Sequence, residues 1–187
     1  MSQTVEKAQL RKQLLDQRDG TSLDFIKIAS GKIRDNLRKI EYYRNAASVG
    51  VYYSIGSEVH TQDIMQEILN AGKELSLPKV EKNDLVFKKI SSFSDLEMGN
   101  FSVMEPKDRC ETVKKIDVVL VPAIALTADG YRLGYGFGYY DRYLNGKRSK
   151  KIALSYSKQV VKAMPHDGHD IKMDCIVTED KIIYPKT

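Results

Sequence analysis

Ile116-Asp117-Val118-Val119-Leu120-Val121-Pro122-Ala123 is the stretch from which the fold is read. Apart from Asp117 it is apolar and rich in β-branched side chains. A strand with one wet face alternates apolar and polar residues, whereas one covered on both faces reads as a continuous apolar run. The stretch is therefore expected to be a central strand of a parallel sheet. Upstream, Ser48 to Tyr53, Glu74 to Leu77 closed by Pro78, and Leu85 to Ile90 read as strands; downstream, Lys151 to Tyr156 and Asp174 to Thr178 do so.

Helical spacing lies between and before these strands. Residues 4 to 18 carry Val5, Leu10 and Leu14, and residues 23 to 44 carry Leu23, Ile26, Ile33, Leu37 and Ile40 on one face. Asp19-Gly20-Thr21-Ser22 separates the two as a turn ending in an N-cap. Thr61 to Asn70 returns to the helical period before stopping at Ala71-Gly72, and Tyr139 to Asn145 is a further short helix. Residues 91 to 116 show weak periodicity. Strands alternating with helices predict an α/β fold in three layers, a mostly parallel central sheet with helices on both faces. A single domain over residues 1 to 187 is expected.

Composition narrows the class. Hydrophobic residues make up 42% and charged residues 29% of the 187, a globular balance. No apolar run approaches the roughly 20 residues of a membrane span, and the N-terminal stretch has neither the apolar core of a signal peptide nor the acid-poor character of a transit peptide. A soluble, cytoplasmic monomer with no membrane partner is expected. Cys110 and Cys175 are far apart, with no ligand spacing around them, so neither a zinc site nor a disulfide framework is indicated. The net charge of +5 favours anionic ligands. Its basic residues are interspersed with acids and accompany no nucleic-acid motif, so no nucleic-acid partner is expected.

After the central strand comes Arg132-Leu133-Gly134-Tyr135-Gly136-Phe137-Gly138-Tyr139-Tyr140-Asp141. Ligands of open parallel sheets collect beyond the carboxyl ends of the strands, where this loop falls. Alternating glycines let a backbone approach a phosphate and offer it successive N–H groups, but they also build an ordinary tight turn. The pattern matches neither a Walker loop nor the dinucleotide fingerprint. Its neighbours favour a site: Arg132 for charge neutralisation, Tyr139 and Tyr140 for stacking on a flat ring, and Asp141 as a hard oxygen ligand.

Leu120-Val121-Pro122-Ala123 followed by Asp129-Gly130-Tyr131 and the glycine segment through Arg142-Tyr143-Leu144 resembles the signature of the 5-formyltetrahydrofolate cyclo-ligase family. The resemblance continues in Lys7-Ala8-Gln9-Leu10-Arg11, Glu58-Val59-His60-Thr61, Leu77-Pro78, Glu105-Pro106, Ala153-Leu154-Ser155-Tyr156, and His169-Asp170 through Asp174 to Thr178-Glu179. Phe137 departs from the small or basic residue usual at its position, which bears on local pocket shape.

The resemblance implies a fold like that of the sugar-phosphate isomerase and coenzyme A transferase group. It implies an ATP- and Mg²⁺-dependent closure of 5-formyltetrahydrofolate to 5,10-methenyltetrahydrofolate through a phosphorylated formyl (iminium phosphate) intermediate. By it, Lys7, Arg11 and the run from Arg132 to Tyr140 (Leu133, Gly134, Tyr135, Gly136, Phe137, Gly138 and Tyr139 included) bind ATP. Tyr53, Glu58 and Tyr135 to Tyr139 hold the folate, Glu58 through the pterin's N–H groups. Arg132 and Tyr139 serve catalysis. Asp141 and Asp170 bind magnesium, with Asp174 as the alternative second ligand. His60, His166 and His169 stay outside the chemistry, because phosphoryl transfer of this kind rests on positioning and electrostatics. A sugar-phosphate isomerase-like enzyme, which would not explain Tyr139-Tyr140-Asp141, and a non-catalytic relative that binds nucleotide or folate are the competing readings.

Overall fold

The computed structural model of the chain describes residues 3–99 and 102–186. Helices α1 (Gln3–Asp19), α2 (Leu23–Leu37) and α3 (Glu41–Arg44) come first, then β1 (Ser48–Gly50), α4 (Gln62–Asn70), β2 (Glu74–Glu81) and β3 (Asp84–Ile90). Three short strands, β4 (Leu96–Met98), β5 (Met104–Pro106) and β6 (Thr112–Val113), lead to β7 (Val118–Pro122), β8 (Ala125–Thr127) and β9 (Arg132–Leu133). The chain closes with α5 (Tyr139–Leu144), β10 (Lys150–Leu154), β11 (Val160–Val161), β12 (Cys175–Val177) and β13 (Ile182–Ile183).

Eight strands form the main sheet in the order β13-β12-β10-β7-β1-β2-β3-β6. The five from β12 to β2 are parallel, and β13, β3 and β6 join antiparallel at the edges. The stretch that predicted a doubly covered strand is β7, held between β10 and β1. Its side chains alternate between two cores. Val118 and Leu120 join Ile26 and Ile33 of α2 and Ile64 and Ile68 of α4, while Val119 and Val121 face the other way with Leu144 of α5. Helices thus cover both faces, as expected, but on the second face the six-residue α5 is joined by loops and by Leu126 of β8 and Val160 of β11. Fully burying each such apolar side chain stabilises the fold by roughly 1.5–3 kcal/mol.

Helix α1 belongs to neither core. Its Leu14 is buried with Ile124, Ala125, Leu133 and Met164 against a small second sheet of β11, β8 and β9. The helix therefore sits beside the strand ends from which the glycine segment leaves. No helix among the described residues is long and apolar enough to cross a membrane.

Three expectations need correction. The helix expected over 23–44 ends at Leu37 and restarts as α3, because Ile40, in extended backbone and 1% exposed, turns the chain so that both it and Tyr43 reach the core. Ser22 does cap α2, accepting from the Phe25 N–H. Strand β2 runs through Pro78 instead of stopping there. Glu74 N–H and Ser76 C=O both point to the β1 side, so Pro78, two residues on, directs its missing donor to the same side, where the β1 ladder has already ended. Residues 91–116, weakly periodic in sequence, contain the β4–β5 pair and β6, each too short to show a period.

Candidate active site

Strands β1 and β7 are parallel neighbours, so their carboxyl ends release two loops side by side. Tyr52 and Tyr53 after β1 and Pro122 at the end of β7 open onto a cleft of about 420 Å³. Helix α1 borders it with Lys7 and Arg11, the loop after β1 with Ile55 and Glu58, and β2, β3 and β5 with Pro78, Val80, Leu85 and Glu105. Every residue from Arg132 to Asp141 lines it, and so does Asp170. All the site residues expected from sequence therefore converge on one cleft. Asp174, the alternative metal ligand, does not: it accepts from the Lys151 N–H at 2.7 Å and pairs with Lys151 Nζ at 2.9 Å, tying the start of β12 to β10. None of the three histidines lines the cleft.

At one end the backbone of the glycine segment lies against two guanidinium groups. Arg11 Nε donates to the Gly134 carbonyl at 2.7 Å, and partial burial lowers the Arg11 pKa from its usual value. Gly136 has φ of +102°, and a Cβ there would lie 3.3 Å from the Arg11 guanidinium carbon; a Cβ on Gly134 would collide with Arg132. Glycine is favoured at the first by its positive φ, and at the second a Cβ would push the Arg132 guanidinium from its place.

The Arg132 side chain, 5% exposed, donates to Asp141 Oδ2 at 2.9 Å. Its Nε and the Tyr140 hydroxyl are buried without a partner among the described residues, an unusual state for buried polar atoms. Lys7 Nζ reaches Asp170 at 2.7 Å and Asp167 at 3.1 Å. Burial disfavours the charge on Lys7, but these two acids outweigh it and hold its pKa above the ordinary value.

Both expected metal ligands are thus paired with cations expected to bind phosphate. The Ile171 N–H, next to Asp170, donates to Asp141 Oδ1 at 3.2 Å, which keeps the two acids on adjoining parts of the wall. Among the described residues no group of three His, Cys, Asp or Glu side chains could hold a metal. Two hard carboxylates without a full protein cage suit Mg²⁺, which keeps waters and takes substrate phosphates as its remaining ligands.

At the other end Glu58 is 5% exposed. Its Oε1 accepts from the Tyr135 hydroxyl at 2.6 Å and its Oε2 from the Ile55 N–H at 3.0 Å, while Tyr156 donates to its backbone carbonyl at 3.1 Å. Burial raises the Glu58 pKa, and the bonds from Tyr135 and Ile55 and the charge of Arg18 restrain the rise. Tyr139 stacks on Phe137 with ring centres 5.7 Å apart, and the Arg142 guanidinium lies 5.2 Å from the Tyr139 centre. Phe137 is 57% exposed, so the residue that departs from the family pattern forms a projecting aromatic wall. Sequence reasoning missed Arg18 and Ser57, which stand behind Tyr135 and Glu58; only the helical phase shared by Leu14 and Arg18 hints that Arg18 faces inward.

The model of the 5-formyltetrahydrofolate cyclo-ligase family matches residues 3–179. The Saccharomyces cerevisiae 5-formyltetrahydrofolate cyclo-ligase is 29% identical over 94% of this chain and 96% of its own length, and the Escherichia coli K12 enzyme 30% identical over 73% and 80%. The solution structure of Aquifex aeolicus 5,10-methenyltetrahydrofolate synthetase superposes with a TM-score of 0.87 at 35% identity, covering 97% of this chain and 93% of that one. The Mycoplasma pneumoniae synthetase does so at 0.76 and 25%, covering 93% and 99%. With the cleft lined by the signature itself and the match running through nearly the whole sequence, the chain belongs to the 5-formyltetrahydrofolate cyclo-ligase family and is an enzyme.

Proposed function

We propose that the chain couples ATP hydrolysis to the conversion of 5-formyltetrahydrofolate into 5,10-methenyltetrahydrofolate, releasing ADP and phosphate. The carrying observation is that the two cations of α1, the glycine segment, the two acids and Glu58 all line a single cleft. A reaction that moves a phosphoryl group onto a folate needs its phosphate-binding and pterin-binding parts contiguous.

The formyl oxygen is a poor leaving group. Transfer of the γ-phosphoryl to it gives an iminium phosphate, N10 attacks the activated carbon, and the C–O bond breaks as phosphate leaves. Lys7 and Arg11 bind the triphosphate, exchanging Asp170 and the Gly134 carbonyl for phosphate oxygens. Arg132 lines the cleft with its guanidinium held by Asp141, so that its positive charge stands fixed beside the phosphoryl group. Glu58 accepts from the pterin's N–H groups, and Tyr53 and Tyr139 offer flat faces to its ring. Val80, Leu85 and Val103 line the cleft with apolar surface that limits water and so favours N10 over hydrolysis. Asp141 and Asp170 would hold Mg²⁺, which would supply neutralisation of the phosphate charge.

The test is to mix the protein with 5-formyltetrahydrofolate, ATP and Mg²⁺ and follow the methenyl chromophore against ADP. Product and ADP are expected in equal amounts. Absence of product at every nucleotide concentration overturns the proposal.

A further inference from the structure

Arg18 is a charged side chain buried where no ion pair explains it. It lies on α1, is 5% exposed, and among the described residues makes no salt bridge. Its Nε donates to Ser57 Oγ at 2.9 Å and its Nη2 to the Tyr135 hydroxyl oxygen at 2.9 Å. Beyond each hydroxyl stands an acid: Ser57 donates to Asp19, and Tyr135 donates to Glu58.

The polarity of this chain of bonds is fixed by chemistry. A guanidinium has five donors and no acceptor, and it does not lose its proton in proteins. Tyr135 must therefore accept from Arg18, and its only proton is left for Glu58. A hydroxyl without such a neighbour rotates freely and points its proton at any acceptor within reach. Burying a guanidinium is expensive unless its donors are met, so the arrangement needs a use beyond packing.

We propose that Arg18 is a positioning residue: acting through Tyr135, it fixes the Glu58 carboxylate as an acceptor aimed at the folate. The role rests on the reading of Glu58 as the pterin's partner and extends it to a residue outside the cleft wall. Tyr135 belongs to the glycine segment and Glu58 to the loop after β1, so Arg18 also sets the spacing between the two loops that hold the substrate. The groups facing Glu58 are Tyr135, Arg18, Tyr52, Tyr140 and Tyr156, with Asp19 behind Ser57; Arg18 is the only cation among them. Its charge and the Tyr135 bond both restrain the rise in the Glu58 pKa caused by burial. Loss of Arg18 should let that pKa climb further.

The experiment compares the wild type with Arg18→Met, Arg18→Lys, Tyr135→Phe and the Arg18→Met/Tyr135→Phe double variant. Carboxyl-labelled NMR titration of the free protein should show the Glu58 midpoint moving upward in Arg18→Met and Tyr135→Phe, with partial return in Arg18→Lys. In kinetics, KM for 5-formyltetrahydrofolate should rise about tenfold in each single variant, the scale of a charge-assisted hydrogen bond, while KM for ATP stays put in Arg18→Met and Arg18→Lys. The double variant should be no worse than the poorer single one, because both act along one chain. A Glu58 midpoint unmoved in folded Tyr135→Phe and Arg18→Met, or additive losses in the double variant, overturns the proposal. A moved midpoint in a protein that never closes the folate ring upholds the positioning link and defeats the assigned reaction instead.

Discussion

Replacing Asp141 by Asn tests two claims at once, because its two oxygens have different employers. Oδ2 receives Arg132 and Oδ1 receives the Ile171 N–H. An amide has only one acceptor oxygen, so one of these donors must face an NH₂ group instead. Breaking a buried pair by removing one partner costs about 3–5 kcal/mol. Arg132 is 5% exposed but Asp141 is 23% exposed, so water recovers part of the loss, and about 2 kcal/mol is the expected destabilisation. For a chain of 187 residues, at roughly 2.1 cal/mol/K of unfolding entropy per residue, that lowers Tm by about 5 °C. Scanning calorimetry with and without Mg²⁺ and ATP is the assay. The variant should melt about 5 °C early with an unchanged circular dichroism spectrum; Mg²⁺ with ATP should raise the melting temperature of the wild type and not that of the variant. A Tm within 1 °C of wild type refutes the claim that Asp141 supports Arg132, and full turnover with wild-type metal dependence removes Asp141 from the site.

Lys7→Ala should raise KM for ATP by about tenfold while leaving Tm nearly unchanged, because partly exposed ion pairs contribute only about 0–1 kcal/mol; a large loss of stability with unaltered KM would make Lys7 structural. Gly136→Ala should cost about 1–2 kcal/mol in denaturant unfolding from its positive φ and should also weaken ATP binding by pushing Arg11 aside; an unchanged midpoint contradicts it. For Glu58 the folded pKa is raised, so between the ordinary carboxylate value and the raised one the folded protein keeps a proton that the unfolded chain has released. Stability should therefore fall as pH climbs through that window, and Glu58→Gln should flatten this part of the curve; a slope that survives the substitution assigns it to another group.

Some of this was legible in the sequence for definite reasons. β7 declares itself because a strand buried on both faces must be apolar throughout, and the glycine segment because Gly136 and Gly138 take the positive φ that other residues rarely adopt. The broken second helix was not legible, since the turn at Ile40 is imposed by what the core will accept and not by any local breaker. Pro78 misled because its effect depends on which neighbour its missing donor faces, a property of the sheet. Arg18 was invisible because a buried arginine and a solvated one look alike until Ser57 and Tyr135 are seen around it. The mutual pairing of Lys7 with Asp170 and of Arg132 with Asp141 could not be read either, since each partner was assigned on its own to a ligand.

Helix α1 lies outside both main cores and reaches the rest of the molecule through Leu14 and through Lys7, Arg11 and Arg18, all bonded to cleft residues or their supports. Docking this helix and assembling the site are one event. A protease cut near Gly20 would then leave the sheet standing while taking away the two cations proposed to bind phosphate and the brace behind Glu58. Activity should vanish long before the fold does, and a synthetic peptide spanning the helix should restore it, the behaviour of a natural two-piece enzyme joined by a short tether.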